Sequence, residues 1–476
     1  MRAHAEVTAE VEELPDGPEI GALFDFDGTV IAGYSATALM REQIRRGELS
    51  VRQVAESARA MASFGLGNAS FSAMMMANAQ FMRGAEEAAY HKLGAELFDK
   101  DIARLIYPES RALIEAHLRK GHTVAIVSSA TPYQIEPAAR SLGIKHVLCS
   151  HLKVKDGRFT GEVVRPTCFG EGKVRAAESL AELYGVDLKQ SFFYTDSDDD
   201  IELLERVGNP RPTNPNRGLT RIAGQRHWPI RRFNSRGRPK MADWLRSILA
   251  TGSIVSAAAA SLPIWALTGS KREAQNFSAA LFAETASALI NLKLDVQGEE
   301  NLWKRRPAVF VFNHQSKADF IIGAKLLRKD FAGVARKHEK GIALFEKAME
   351  MGGVMMIDLD DPKKTLDSMQ ELANAVREQG LSVCIAPEGT RSTTTRLGPF
   401  KKGAFRLAME AGVPIVPIVI HNALDVAPRG EFVYRAGTVH VDVLPPIETS
   451  DWTRASLARE MARIRSLYLD TLGQSE

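Results

Sequence analysis

Asp25 and Asp27, separated by Phe26 and followed by Gly28 and Thr29, stand at the end of an apolar run that starts at Ile20. A buried strand ending there delivers both carboxylates into one loop. One can then attack phosphorus while the other manages the proton of the leaving oxygen. Gly28 permits a tight turn beside a phosphate. Ser128 ends a second apolar run, Thr123–Val127, and can donate a hydrogen bond to phosphoryl oxygens. Lys173 opens a helix after Gly170 and Gly172 and supplies positive charge. The acidic run from Asp196 to Asp200 follows the apolar run Phe192–Thr195. It offers oxygen ligands to Mg²⁺, which takes one or two protein carboxylates together with phosphate and water.

A second constellation begins at Asn313-His314-Gln315-Ser316-Lys317-Ala318-Asp319, after the apolar run Ala308–Phe312. On a regular helix, residues five apart point about 140° from each other and do not meet. They meet if His314 occupies a strand-to-helix turn and Asp319 the first helical turns. Asp319 then fixes the imidazole tautomer, and the other ring nitrogen takes a proton from an alcohol. No Ser or Cys stands in a recognisable nucleophile elbow, so direct attack by an acceptor hydroxyl on a thioester is the simpler scheme. Ala386-Pro387-Glu388-Gly389-Thr390-Arg391-Ser392 follows the apolar run Leu381–Ile385. Gly389 lets backbone N–H groups approach an anion, and Arg391 can grip a phosphate bidentately.

These residues need strand ends to hold them, and the chain supplies two sets. Its 476 residues exceed one ordinary core. Apolar residues at 45% and charged residues at 25% mark a folded globular protein. Apolar runs alternate with helical segments in both halves, which predicts two α/β domains built on mostly parallel sheets. The segment from about Ser35 to Leu105 lacks strand runs and reads as a helical insert. The expected divisions are a phosphatase-like Rossmann domain over residues 18–230 with a helical cap at about 33–107, a basic and apolar helical segment over 231–291, and a second α/β domain over 292–476. Between Arg217 and Arg246, eight Arg and one Lys face one Asp. The low-charge run Ile248–Leu267 follows and has the length of a bilayer core but only modest hydrophobicity. A basic stretch beside an apolar helix points to an anionic membrane surface and not to nucleic acid. Cys149, Cys168 and Cys384 are scattered and read as reduced residues. The first residues hold no apolar signal segment, so the expected location is the cytoplasmic face of the cell membrane.

The first constellation, over about Gly21–Trp228, resembles the haloacid-dehalogenase superfamily, in its phosphoserine-phosphatase-like branch. The motifs Asp-Phe-Asp-Gly-Thr, Ser128, Lys173 and Asp-Ser-Asp-Asp-Asp occur in that family's order. The resemblance implies Asp25 as the nucleophile that forms an aspartyl-phosphate and Asp27 as the general acid/base. It implies Mg²⁺ held by Asp25, the Asp27 carbonyl and Asp196, with Asp200 in support, and phosphate held by Ser128 and Lys173. Where phosphoserine phosphatases carry Glu nine positions after the nucleophile, this chain has Tyr34. The Met- and Phe-rich insert (Phe71, Met74, Met75, Met76, Phe81) reads mainly as insert core, with a surface that can also accommodate an apolar ligand.

The second constellation, over about Leu294–Leu444, resembles the PlsC-type 1-acyl-glycerol-3-phosphate acyltransferases, with the preceding helical region standing where that family has membrane-docking helices. The resemblance implies His314 as general base oriented by Asp319. It implies Lys337 and Arg391 on the acceptor's phosphate, and Glu388, Gly389 and Thr390 shaping that site. Two positions depart from the family: Ala386 replaces an aromatic, and Leu359 replaces an Arg expected to bind phosphate. Together the resemblances imply a bifunctional enzyme of phospholipid biosynthesis. Acyl-CoA or acyl carrier protein donates the acyl chain to lysophosphatidic acid, and the N-terminal domain hydrolyses a phosphomonoester. A homodimer is compatible with this reading. Two others stay open: an acyltransferase with a catalytically silent N-terminal docking module, or a different lysolipid acceptor.

Overall fold

Short, almost wholly buried strands set the architecture of both halves. The computed structural model describes residues 2–65, 70–233, 235–236, 239–336, 343–357 and 362–474. The expected phosphate ligand Lys337, and Leu359, lie outside the described residues. The chain divides into two compact units, Met1–Arg238 and Pro239–Glu476.

In the first unit the strands are β1 (Gly21–Phe24), β2 (Thr123–Val127), β3 (His146–Leu148), β4 (Leu152–Lys155), β5 (Arg158–Val163), β6 (Phe192–Thr195) and β7 (Asn209–Pro212). Among the described residues, five of them form a sheet in the order β3-β2-β1-β6-β7, with every pairing parallel. All residues of β1, β2 and β6 are buried, as a parallel sheet covered on both faces requires. Pro210 and Pro212 are tolerated because β7 lies at the sheet's edge. The insert between β1 and β2 is helical, with helices Ser35–Arg45, Val51–Gly65, Phe71–Phe81 and Glu87–Leu97. The cap is not built from that insert alone. The hairpin β4–β5 packs on it, with Phe159, Leu152 and Val163 joining Met75, Ala79, Tyr90 and Tyr133 in one apolar cluster. Its turn is Asp156-Gly157, both at positive φ (+52° and +71°), the Asp-Gly pairing that two-residue hairpin turns favour.

The second unit opens on two long helices, Met241–Thr268 and Lys271–Leu289. Gly269 (φ +70°) ends the first. The strands are β8 (Leu292–Gln297), β9 (Val309–Phe312), β10 (Phe331–Arg336), β11 (Val354–Ile357), β12 (Ser382–Ile385), β13 (Ile415–Ile420) and β14 (Gly437–Val443). Among the described residues they form one sheet in the order β11-β10-β12-β9-β13-β14-β8, parallel except between β13 and β14. Helix Met241–Thr268 is long and apolar enough to cross a membrane by length and composition, with mean hydropathy 1.6. It is two-sided. Ala250, Ile254, Ala257 and Ala258 are buried with Phe282, Ala283 and Ala286 of the next helix, while Trp244, Leu245, Ile248 and Leu249 are exposed.

The arginine-rich stretch is less available than its charge suggests. Arg226 pairs with Glu205, Arg231 pairs with Glu10 at 2.7 Å, and Arg236 is buried and donates to the Ile106 carbonyl at 3.1 Å. Part of the expected membrane-facing charge is therefore spent inside the first unit.

Candidate active sites

In the first unit the sheet's direction of growth reverses between β1 and β6. Open parallel sheets bind ligands beyond the carboxyl ends of their strands at such a point. The register sets Phe24 beside Ile126 of β2 and Tyr194 of β6. Asp25, Ser128 and Asp196, each immediately past its strand, therefore emerge side by side. Lys173, in the first turn of helix Glu171–Tyr184, is 3% exposed. Its Nζ donates to Asp25 Oδ1 at 3.0 Å and to Asp200 Oδ2 at 2.8 Å. Thr195 Oγ1 donates to the same Asp200 oxygen at 2.6 Å. In this arrangement Asp200 steers the lysine. Ser128 is buried, and its Oγ accepts from the Ala130 N–H at 3.3 Å.

Asp27 is held by Ser35, whose N–H donates to Oδ1 at 2.7 Å and whose hydroxyl donates to Oδ2 at 3.2 Å. Gln134 Nε2 donates to Ser35 Oγ at 3.0 Å. Sequence reasoning passed over Ser35, Gln134 and Thr195. Only Gln134 carried a signal, as the last residue of the Thr131-x-x-Gln134 capping box.

Carboxylates outnumber cations in this site, and burial penalises their charge. Burial pushes Asp25 up to about 8; Lys173 pulls it back, and Asp200 and Asp196 add to the rise. Burial pushes Asp27 up to about 6, against the Ser35 hydrogen bonds. Burial and then Asp200 push Asp196 up to about 7. Gly28 sits at φ +77°, and a Cβ there would collide with the Asp196 carboxylate, so the loop and Asp196 stay in close contact. An excess of inward-facing carboxylate oxygens suits a divalent cation. Among the described residues no three His, Cys, Asp or Glu side chains converge into a cage that could hold a metal.

In the second unit the His–Asp pair forms as a turn. Asp319 lies in the first turn of helix Ala318–Leu327, and His314 lies two residues past β9. His314 Nδ1 and Asp319 Oδ2 are 2.8 Å apart. The same oxygen accepts from the Gln315 and Ser316 N–H groups, each at 2.8 Å. Asn313 extends the sheet with its side chain: Nδ2 donates to the Ile420 carbonyl at 2.8 Å, and the Ile420 N–H donates to Oδ1 at 2.7 Å.

Parallel pairing of β12 with β9 (Ile385 beside Val311) brings Glu388 to His314. Glu388 Oε1 accepts from the His314 N–H at 2.7 Å and Oε2 from the Gly398 N–H at 3.0 Å. A buried carboxylate with both oxygens on peptide N–H groups is a loop clamp. Through this clamp Glu388 sets the loop that carries Gly389, Thr390 and Arg391 against the His314 turn. Gly389 (φ +71°) gives Lys401 room: a Cβ would fall 2.7 Å from its Nζ. Thr390 and Arg391 are exposed. The Arg391 loop is tied to the histidine by the Ser392 N–H, which donates to the His314 carbonyl at 2.8 Å.

Beside this pair lies an apolar cleft. Asp319, Phe312, Ile254, Phe282, Val334 and Met349 are among the residues that line it. Cys384 also lines it, but burial pushes its thiol up to about 12, which leaves it un-ionised and unfit as a nucleophile.

The description haloacid dehalogenase-like hydrolase matches residues 22–205, and the description acyltransferase matches residues 293–421. A Mycobacterium tuberculosis protein named "Probable phosphatase" is 34% identical over 216 residues, 45% of this chain and 75% of that protein. A 1-acyl-sn-glycerol-3-phosphate acyltransferase of Saccharomyces cerevisiae is 30% identical over 208 residues, 43% of this chain and 68% of that protein. A crystal structure of the 1-acyl-sn-glycerophosphate acyltransferase PlsC from Thermotoga maritima is 20% identical, covers 50% of this chain and 96% of that one, and superposes with a TM-score of 0.43. The chain is a fusion of two enzymes, belonging by its N-terminal half to the haloacid dehalogenase-like hydrolases and by its C-terminal half to the acyltransferases.

Proposed function

We propose that the second unit acylates 1-acyl-glycerol 3-phosphate to phosphatidic acid and that the first hydrolyses a phosphomonoester through Asp25. The observation that carries the first part is the His314–Asp319 contact at 2.8 Å beside an apolar cleft that Asp319 itself lines. His314 Nε2 takes the proton of the acceptor hydroxyl as its oxygen attacks the thioester carbonyl. The carbon–sulfur bond breaks, and the leaving thiolate takes the proton back from the imidazolium. The cleft suits an acyl chain, with the thioester at the histidine. The donor is acyl-CoA or acyl carrier protein.

In the first unit, Asp25 attacks phosphorus and the alcohol leaves with the proton of Asp27. Asp27 then takes a proton from the water that cleaves the aspartyl-phosphate. Lys173 and Ser128 hold phosphoryl oxygens. Asp25, Asp196 and the Asp27 carbonyl would hold Mg²⁺, whose charge eases the approach of a carboxylate to a phosphate when bound.

The exposed Trp244, Leu245, Ile248 and Leu249 suit insertion into the headgroup region of a membrane, with the opposite helix face kept in the protein core. The cytoplasmic face is the proposed side. The test is one assay with lysophosphatidic acid, acyl-CoA and Mg²⁺, following phosphatidic acid, diacylglycerol and free phosphate. Phosphatidic acid must require His314, and phosphate release must require Asp25. Phosphatidic acid formed equally by His314→Ala would end the acyl-transfer reading.

A further inference from the structure

Ser35 opens the first helix of the cap insert and is the residue that holds Asp27. Gly33 (φ +117°) turns the chain back between the two, and its carbonyl accepts from the Gly28 N–H at 3.0 Å. Ser35 is 1% exposed and Gln134, which donates to it, is 7% exposed. Buried polar groups find their partners within the protein, so the fold decides what each of these two side chains bonds to.

The direction of every bond follows from the groups that can only donate. The Thr131 N–H donates to Gln134 Oε1 at 3.0 Å, and the Thr131 hydroxyl donates to the same oxygen at 2.8 Å. An amide turned the other way would set its own N–H groups against that peptide N–H. Nε2 is therefore the end that faces Ser35 Oγ, at 3.0 Å. An amide nitrogen cannot accept, so the serine oxygen accepts there and must place its own proton elsewhere. Among the described residues its other side-chain partner is Asp27 Oδ2, at 3.2 Å. The Ser35 N–H, which also can only donate, takes Asp27 Oδ1 at 2.7 Å. The chain of donors thus runs one way, from Thr131 through Gln134 and Ser35 to Asp27. It starts in the loop after β2 that carries Ser128 and ends in the loop after β1 that carries Asp25.

Both Asp27 oxygens receive a hydrogen bond from Ser35, so the proton of the acid form sits on a lone pair that Ser35 leaves free. Resting on the reading of Asp27 as general acid, we infer that Gln134 and Ser35 are positioning residues that keep this proton turned toward the leaving oxygen. As Asp25 forms its bond to phosphorus, the bond from phosphorus to the alcohol oxygen breaks. Its electron pair goes to that oxygen, which takes the Asp27 proton. The carboxylate left behind keeps both Ser35 donors. Without Gln134 the serine hydroxyl is free to turn round and accept the Asp27 proton, which then points away from the leaving oxygen.

The full chain with Mg²⁺ is assayed on phenyl phosphate and on 4-nitrophenyl phosphate. The readout is kcat/KM, which covers the steps up to departure of the alcohol. Phenol is as basic as a tyrosine side chain, with a pKa of about 10, and leaves with a proton, whereas nitrophenolate leaves with little help. Ser35→Ala should lower kcat/KM about 30-fold on phenyl phosphate, the scale of one hydrogen bond to a charged group, and about threefold or less on the nitrophenyl ester. Gln134→Met, of similar volume but with no donor, should show the same selectivity with a loss of about tenfold. The double variant should be no worse than Ser35→Ala alone, because the two residues act in series. Equal losses on both esters, in variants that unfold at the wild-type temperature, overturn the proposal, and so do losses that multiply in the double variant. Asp27→Asn separates this idea from the reading beneath it. If Asp27→Asn is selective for phenyl phosphate and Ser35→Ala is not, the positioning role alone is overturned. If Asp27→Asn is itself unselective, the general-acid reading falls and the inference falls with it.

Discussion

The two sites hold their key carboxylates in opposite ways. In the first unit, Asp25, Asp27, Asp196 and Asp200 crowd around the single ammonium of Lys173, and burial drives three of them upward. In the second, one oxygen of Asp319 meets three donors: the imidazole and two peptide N–H groups. The first site carries more carboxylate than the described cation beside it can offset. The second aims one carboxylate oxygen with donors already in place, while the other Asp319 oxygen is buried without a partner. Phosphoryl chemistry must neutralise a dianion, whereas acyl transfer must aim one proton acceptor.

The largest test of that contrast is Asp25→Asn. It should cut phosphate release by about 10⁴-fold or more, the scale of losing a covalent nucleophile, while acyl transfer on the same chain stays intact. A parallel fall in both activities would mean that the halves are not independent catalysts. His314→Ala should cut phosphatidic acid formation by about 10³-fold with phosphate release untouched. Chelating divalent cations sharpens the contrast further. Phosphate release should fall to background and return with Mg²⁺, while acyl transfer in the same tube continues. Acyl transfer that also stops would end the contrast between the two sites.

Smaller effects probe the supports. Replacing Trp244 and Leu245 together by Ser removes two exposed apolar side chains. Binding to vesicles containing anionic lipid should weaken several-fold in a flotation assay, with phosphatase activity on a soluble ester unchanged.

Much of each site was legible because strand ends and their loops are local features. Asp25 and Asp27 follow an apolar run, and His314 and Asp319 span one turn, so residue type and spacing suffice. The hairpin over 152–163 was legible as well, through Asp156-Gly157 between alternating residues, yet it went unread. The clamp made by Glu388 was not legible because it depends on the two loops it joins. Ser35 and Gln134 escaped notice because serine and glutamine carry no signal until something lies opposite them.

By itself the sequence determined the two α/β halves, the order of their motifs and the loops that carry the acids and the histidine. Apolar periodicity and strand-end spacing are properties of neighbouring residues. Only the tertiary structure decided which of those residues meet. Lys173 reaches Asp25 across 148 positions, and Glu388 reaches His314 across 74. Both contacts depend on the parallel register of β1 against its neighbours and of β9 against β12, which no short stretch of chain encodes.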